Sequence, residues 1–158
     1  MASNANPTRR LMLFGALILP AFDLYAKPAL VPVEVWKSPT CGCCKDWVAH
    51  LEANGFAATI HMVDEGAKAA QRSKLGMPER LGSCHTALVG GYVLEGHVPA
   101  RDIRRLLNER PRALGLAVPG MPVGSPGMDG PAFGGQTVPY KVLLVQRDGS
   151  AGVFHAYA

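Results

Sequence analysis

Leu30 to Lys37 alternates apolar and polar positions about Val31, Val33 and Val35, and this period of two predicts a strand. Pro32 has no N–H to give a ladder, so it belongs near the strand's start or at an edge. From Cys44 to Asn54 the period changes, with Trp47, Val48 and Leu51 at helical spacing and Gly55 as the stop. Ala57 to Val63 predicts a second strand. Asp64 then caps a helix over Glu65 to Leu75, whose Ala, Lys, Gln and Arg content reads as an exposed helix ended by Gly76. The apolar run Thr86 to Val89 and the run Tyr92 to Glu95 flank Gly90-Gly91, a strong two-residue hairpin signal. Between Pro99 and Pro111, Asp102 to Glu109 carries Ile103, Leu106 and Leu107 at amphipathic spacing.

Periodicity then stops. Residues 113–139 are rich in Pro, Gly and Met and cannot build a core, which predicts a long functional loop or a linker. Tyr140 to Gln146 and Gly152 to Ala156, joined by Asp148-Gly149, predict a closing β-hairpin over 140–156. The order of strand, turn, helix, strand, helix, strand, hairpin strand, helix predicts an α/β fold. Its plan is thioredoxin-like and three-layered with a mixed central sheet, extended by the loop and the terminal hairpin. In that plan the turn after the first strand and the loop opening the third strand meet at one end of the sheet.

A length of 158 residues with 48% hydrophobic content fits one globular domain, placed at 27–158. Residues 1–26 have the layout of an export signal: Arg9-Arg10, the apolar run Leu11 to Leu19, Pro20, and a small residue at Ala26. Thr8 to Leu13 resembles a twin-arginine signal, although an Arg pair before an apolar run also occurs in ordinary signals. Leu24 stands where a small residue is preferred, so an uncleaved anchor is the alternative to cutting after Ala26. The apolar run is short for a span of about 20 residues, so no stable membrane span is expected once the signal is removed. The net charge of +4 is mild and scattered apart from Arg101, Arg104 and Arg105, which argues against a nucleic-acid partner.

The cysteines change the picture most. Cys41, Cys43 and Cys44 fall within Ser38-Pro39-Thr40-Cys41-Gly42-Cys43-Cys44-Lys45, after a predicted strand and at the start of a predicted helix. Free N–H groups and the helix dipole there favour thiolates. Adjacent cysteines such as Cys43 and Cys44 cannot pair with each other without distorting the backbone, so a metal or a reversible redox state explains the cluster better than two structural disulfides. The predicted plan brings Cys84 and His85 to the same place. Met121 and Met128, in the long loop, add thioethers within plausible reach. Zn(II) would accept four cysteines, but its structural sites usually use two separated pairs. Crowded thiolates with thioethers suit Cu(I) better, as one ion or several. The other histidines carry less: His50 is expected at the surface or in packing, His61 and Met62 on opposite faces of a strand, and His155 in a structural or exposed position. His97 is expected to be structural or to lie behind the ligands.

Several motifs agree in order with one family. Cys41-Gly42-Cys43-Cys44-Lys45-Asp46-Trp47, Ser83-Cys84-His85-Thr86, Glu95-Gly96-His97-Val98-Pro99-Ala100 and Gly115 to Pro122, with Gly124-Ser125-Pro126-Gly127-Met128, resemble the CopG family of exported copper-resistance proteins. This is not the ribbon-helix-helix repressor of the same name. The likeness runs from about Val33 to Met128 and leaves the closing hairpin outside. It implies a thioredoxin-like fold in the periplasm and a part in copper tolerance. It marks Cys41, Cys43, Cys44 and Cys84 as copper ligands, with His85, Met121 and Met128 as further candidates, and it implies redox interconversion of bound copper. Copper ions and periplasmic copper-handling proteins are the implied partners.

Two other functions compete. A thiol-disulfide oxidoreductase would use the Cys-x-x-Cys spacing of Cys41 and Cys44, with Cys41 as the exposed nucleophile. Against it stands Cys43, an extra thiol that invites mispairing during exchange. A copper chaperone for an efflux pump or oxidase would share the metal site and differ only in its partners.

Overall fold

The computed structural model describes residues 29–158, so the predicted export segment lies outside the described residues. The alternation around Val33 and Val35 becomes β1 (Val31–Lys37), in which both valines face the core. The cysteine turn leads into α1 (Gly42–Ala53), which buries Cys44, Trp47, Val48 and Leu51. β2 (Phe56–Met62) follows, then α2 (Glu65–Lys74), with the Asp64 side chain accepting the Ala67 N–H at 2.7 Å as its N-cap. β3 (His85–Val89) and β4 (Tyr92–Glu95) form the expected hairpin, and Gly90 and Gly91 supply the two positive φ angles, 55° and 84°, that its tight turn needs. α3 (Ala100–Glu109) starts at Pro99, and His50 Nε2 accepts the Ala100 N–H at 3.2 Å, which gives that histidine a capping role.

The long loop is not wholly irregular. Gly115–Ala117 forms a further strand, β5, parallel to β4, and Pro131–Phe133 makes a single 3₁₀ turn. Three residues carry too little pattern to betray a strand. β6 (Tyr140–Val145) and β7 (Ala151–Tyr157) form the closing hairpin, which joins the main sheet through β5. The result is one mixed seven-stranded sheet in the order β2-β1-β3-β4-β5-β6-β7, with three α-helices.

Core residues divide by sheet face, as the period of two requires. Trp47, Leu51, Phe56, Leu94, Ile103, Leu106 and Leu116 pack with Val33 and Val35 in the larger cluster under α1 and α3. Val93, Ala117 and Val145 point the other way, onto Met77 and Leu81. Each large apolar side chain buried here contributes about 1.5–3 kcal/mol. α2 departs from its exposed reading at Lys68, which is buried, and at Arg72, whose side chain is 11% exposed. The hairpin is tied to α3 through the buried Asp102, which accepts from His155 Nδ1 at 2.8 Å and from the Tyr157 hydroxyl at 2.6 Å. Among the described residues no helix is long and apolar enough to cross a membrane.

The register also fixes the site. Lys37 at the end of β1 pairs with His85 at the start of β3, so the cysteine turn that follows Lys37 and the Cys84 that precedes His85 must meet.

Candidate metal centre

Cys41 is the N-cap of α1, in extended backbone and with no side-chain cap, so the first-turn N–H groups have no capping side chain. Cys43 and Cys44 occupy that first turn. Cys41 and Cys44 form a disulfide, with Cα atoms 5.4 Å apart, while Cys43 and Cys84 are free. Two of the four cysteines are therefore oxidised here, where the sequence leaves a metal and a reversible redox state both open. Cys43 Sγ lies 3.6 Å from Cys41 Sγ, and Cys44 Sγ lies 3.7 Å from the Cys84 carbonyl oxygen. The four sulfurs all fall within 4.8 Å of one another, as the expected meeting of the two loops requires.

Cys84 reaches a second group. Its Sγ is 3.3 Å from His85 Nδ1 and 3.0 Å from His97 Nε2. His97 Nδ1 is 2.8 Å from the Pro126 carbonyl oxygen and must donate to it. That fixes the tautomer and leaves Nε2 as a lone pair aimed at the thiol. The sequence reading gives His97 a structural place or one behind the ligands; the structure sets its Nε2 against the proposed ligand Cys84. Its signal was the β3–β4 pairing, which sets the Gly96-His97 turn beside His85, with the Gly96 N–H donating to the His85 carbonyl at 3.0 Å. His85 is fully buried against Trp47, with ring centroids 4.1 Å apart. Its Nε2 has no hydrogen-bond partner among the described residues.

Burial governs the electrostatics. It pushes the Cys84 thiol up to about 12; the nearby Cys43 sulfur adds to this, while the Ser83 hydroxyl and the Lys68 ammonium oppose it. Burial also lowers the pKa of His85 and of His97, so both imidazoles are neutral near pH 7 and have lone pairs to offer.

The Cys84 loop is held by charged groups that the sequence pattern does not reveal. Arg72 Nε donates to Glu95 Oε1 at 2.9 Å, and Arg72 Nη2 donates to the Ser83 carbonyl at 2.9 Å. Glu95 Oε1 accepts the Ser83 N–H at 2.6 Å, and Oε2 accepts the Thr86 hydroxyl at 2.6 Å. Lys68 Nζ donates to the Cys84 carbonyl at 3.0 Å. Burial raises the Glu95 carboxyl, with Thr86, Ser83 and Arg72 pulling against it. Three groups from α2 and β4 thus brace the one loop that supplies the fourth thiol.

The two loop methionines differ. Met121 is 47% exposed, and its Sδ lies 3.7 Å from Cys43 Sγ. Met128 is half-buried, and only its backbone takes part in the hydrogen bonds, donating to Ser125 and accepting from Gly124. The structure therefore joins Met121 to the thiols and gives Met128 no such contact. Between them, Gly127 has φ +86°, and a Cβ there would come within 2.6 Å of the Cys43 carbonyl and 2.8 Å of the Trp47 nitrogen. Only glycine lets the loop lie this close to the start of α1. His50, His61 and His155 stand apart from the thiols: His61 pairs with Glu34 and stacks on Trp36, and His155 binds Asp102.

Two openings reach the cluster. A cavity of about 580 Å³ is lined by Lys68, Arg72, Ser83, Cys84, Gly120 and Met121. A groove of about 350 Å³ on the other side includes Cys41, Val48, Ile60 and Met62. A larger cavity, about 1010 Å³, lies by the Gly90-Gly91 turn and contains no thiol.

Residues 81–128 match a family described as a protein of unknown function, DUF411. No curated protein matches the chain. Two solved structures, entitled copper resistance protein copG, form 2 and form 1, are each 47% identical to it. The first covers 82% of this chain and 99% of its own, with a TM-score of 0.74. The second covers 81% of this chain and 98% of its own, with a TM-score of 0.73.

Proposed function

The chain belongs to the CopG family of copper resistance proteins, and from that membership we propose that it is an exported protein that binds Cu(I) as cargo on reduced thiolates. The observation that carries this reading is the convergence of four cysteine sulfurs within 4.8 Å, with Cys84 shared by a second group containing His85 and His97. Thiolate, thioether and neutral imidazole form the soft donor set that Cu(I) prefers. The buried, unpartnered His85 Nε2 supports it as well, since an orphaned polar nitrogen costs about 1–3 kcal/mol unless something arrives to satisfy it. Cys41, Cys43, Cys44 and Cys84 would hold copper, with His85, His97 and Met121 beside them. Met128 has the weakest support of the loop residues. Export into the periplasm is supported by the Arg9-Arg10 pair followed by the apolar run Leu11 to Leu19.

The disulfide favours a redox part in addition. Cys41 and Cys44, themselves among the proposed copper ligands, store two electrons as a dithiol and release them as a disulfide, one electron to each of two Cu(II) ions. That is the basis on which the chain would interconvert Cu(I) and Cu(II). The same bond is the specific support for the second reading, a thiol-disulfide oxidoreductase.

The deciding experiment is a titration of the reduced protein with Cu(I) against a competing chelator, beside Cys43→Ser and Cys84→Ser, with disulfide reductase activity assayed in parallel. Removing a direct ligand should weaken binding by at least the roughly 10–100-fold that loss of a mere supporting group costs. If copper binds weakly, Cys84→Ser leaves it unchanged, and Cys41 with Cys44 turns over a disulfide substrate rapidly, the copper reading is wrong and the oxidoreductase reading stands.

A further inference from the structure

The two halves of the disulfide are unequal. Cys44 is fully buried, whereas Cys41 is partly exposed and lines the groove of about 350 Å³ between the start of α1 and β2. The groove's apolar wall includes Ile60 and Met62, which are 41% and 59% exposed. Both sit on β2, an outer strand that pairs only with β1, so its second edge presents unpaired N–H and C=O groups. Lys37 and Lys45 border the groove, and no carboxylate does. Lys37 is 3% exposed; its Nζ donates to the Ser38 carbonyl at 2.9 Å and lies 3.9 Å from Met62 Sδ. No carboxylate pairs with it among the described residues, and a buried ammonium left with neutral partners is costly until an anion approaches.

We infer that this groove docks an extended, acidic, dithiol-bearing segment of a reductant protein, which opens the Cys41–Cys44 disulfide and completes the four-thiolate set. The inference rests on the proposed reading that copper is held by reduced thiolates. Each feature of the occupant answers to a feature of the groove. The open edge of β2 suits an extended chain, the lysines without carboxylates suit acidic flanks, and the accessible sulfur of Cys41 suits a thiolate nucleophile.

The chemistry balances within the two proteins. A partner thiolate attacks Cys41 Sγ, the Cys41–Cys44 bond breaks, and its electron pair leaves on Cys44 Sγ. The partner's second thiol loses its proton to solvent and attacks the partner sulfur of the mixed disulfide, which releases Cys41 as a thiolate. Two electrons have moved: the partner departs as a disulfide and this chain holds two more thiols.

The test uses the full oxidised chain and two synthetic dithiol peptides, one flanked by glutamates and one by lysines, with dithiothreitol as the small reference reductant. Rates of Cys41–Cys44 reduction, read by alkylation and mass, are normalised to each reagent's rate on an unstructured disulfide. The acidic peptide should be about tenfold faster than the basic one. Ile60→Glu with Met62→Glu, at exposed positions the fold can spare, should abolish that preference while leaving the dithiothreitol rate within about twofold. Lys37→Met should lower the acidic peptide's rate in the same way, and should it fail to fold the exposed pair still decides. Equal normalised rates for the two peptides, or equal slowing of peptide and dithiothreitol in the double variant, would overturn docking. Cu(I) titration of the chemically reduced double variant separates the two ideas: wild-type affinity confines the effect to docking. Failure of the reduced wild type to bind Cu(I) overturns the copper reading, and with it the claim that reduction completes a copper site.

Discussion

Cys84 is the residue through which the thiol cluster and the imidazole pair communicate. Its thiol is pushed up to about 12, chiefly by burial, so at neutral pH it carries a proton. His97 Nε2 stands 3.0 Å away as the acceptor. A thiol must lose its proton before it can ligate, so Cu(I) binding here displaces one. The sign follows directly: protons compete with copper, and apparent affinity rises with pH as long as the free thiol stays protonated, by about tenfold per unit for each proton displaced. The expected outcome is a linear rise in log affinity between pH 6 and 8, measured by chelator competition with the chelator's own titration subtracted. In Cys84→Ser the slope should fall by about one proton. An unchanged slope would place the displaced protons elsewhere.

At the scale of elements, the loop from Val118 to Pro139 acts as a flap pinned at three places. Ser83 Oγ donates to the Gly120 carbonyl, Met121 Sδ contacts Cys43, and the Gly127 backbone lies on the first turn of α1. The Pro126 carbonyl, one residue before Gly127, fixes the tautomer of His97. Gly127→Val therefore strikes the site without removing a proposed ligand side chain. Its Cβ would clash with Cys43 and Trp47 backbone atoms, and a positive φ costs a β-branched residue about 1–3 kcal/mol. Lifting the flap should weaken Cu(I) binding by roughly 10–100-fold, the range for losing support behind a ligand. It should also speed alkylation of Cys43 in the metal-free protein, and unchanged values of both would show the flap to be a bystander. Elements of this kind mark the limit of what a sequence discloses. The flap was legible as a Pro/Gly/Met segment because composition announces it. β5, just before it, was not, because three residues cannot show a period and its pairing to β4 is set by contacts from distant chain. The closing hairpin was legible from its turn, whereas its anchoring on Asp102 of α3 depends on side chains more than fifty residues apart.

The whole molecule gathers ligands that the chain keeps apart, and this separates what could be read from what could not. Cys41, Cys43 and Cys44 are local, and Cys84 followed from the strand order alone, since the end of β1 and the start of β3 had to meet. The brace of Arg72, Glu95 and Lys68 was hidden, because a buried ion pair looks in sequence like any exposed charge. The same division predicts how copper should stabilise the fold. Anything that binds the native state alone raises stability, by about 2.7 kcal/mol at one hundred times its dissociation constant. The unfolded chain keeps its three neighbouring cysteines and so retains part of the affinity, which reduces the gain. Cys84 is forty residues from Cys44 and joins them only in the folded protein. Copper should therefore raise the melting temperature of the reduced protein by roughly 5–10 °C. In Cys84→Ser, at matched occupancy, most of that rise should vanish, because the ligands left are largely those the unfolded chain also offers. Differential scanning calorimetry with and without Cu(I) measures both shifts. Equal positive shifts in the two proteins would mean that Cys84 contributes nothing to the folded protein's advantage over the unfolded chain in holding copper.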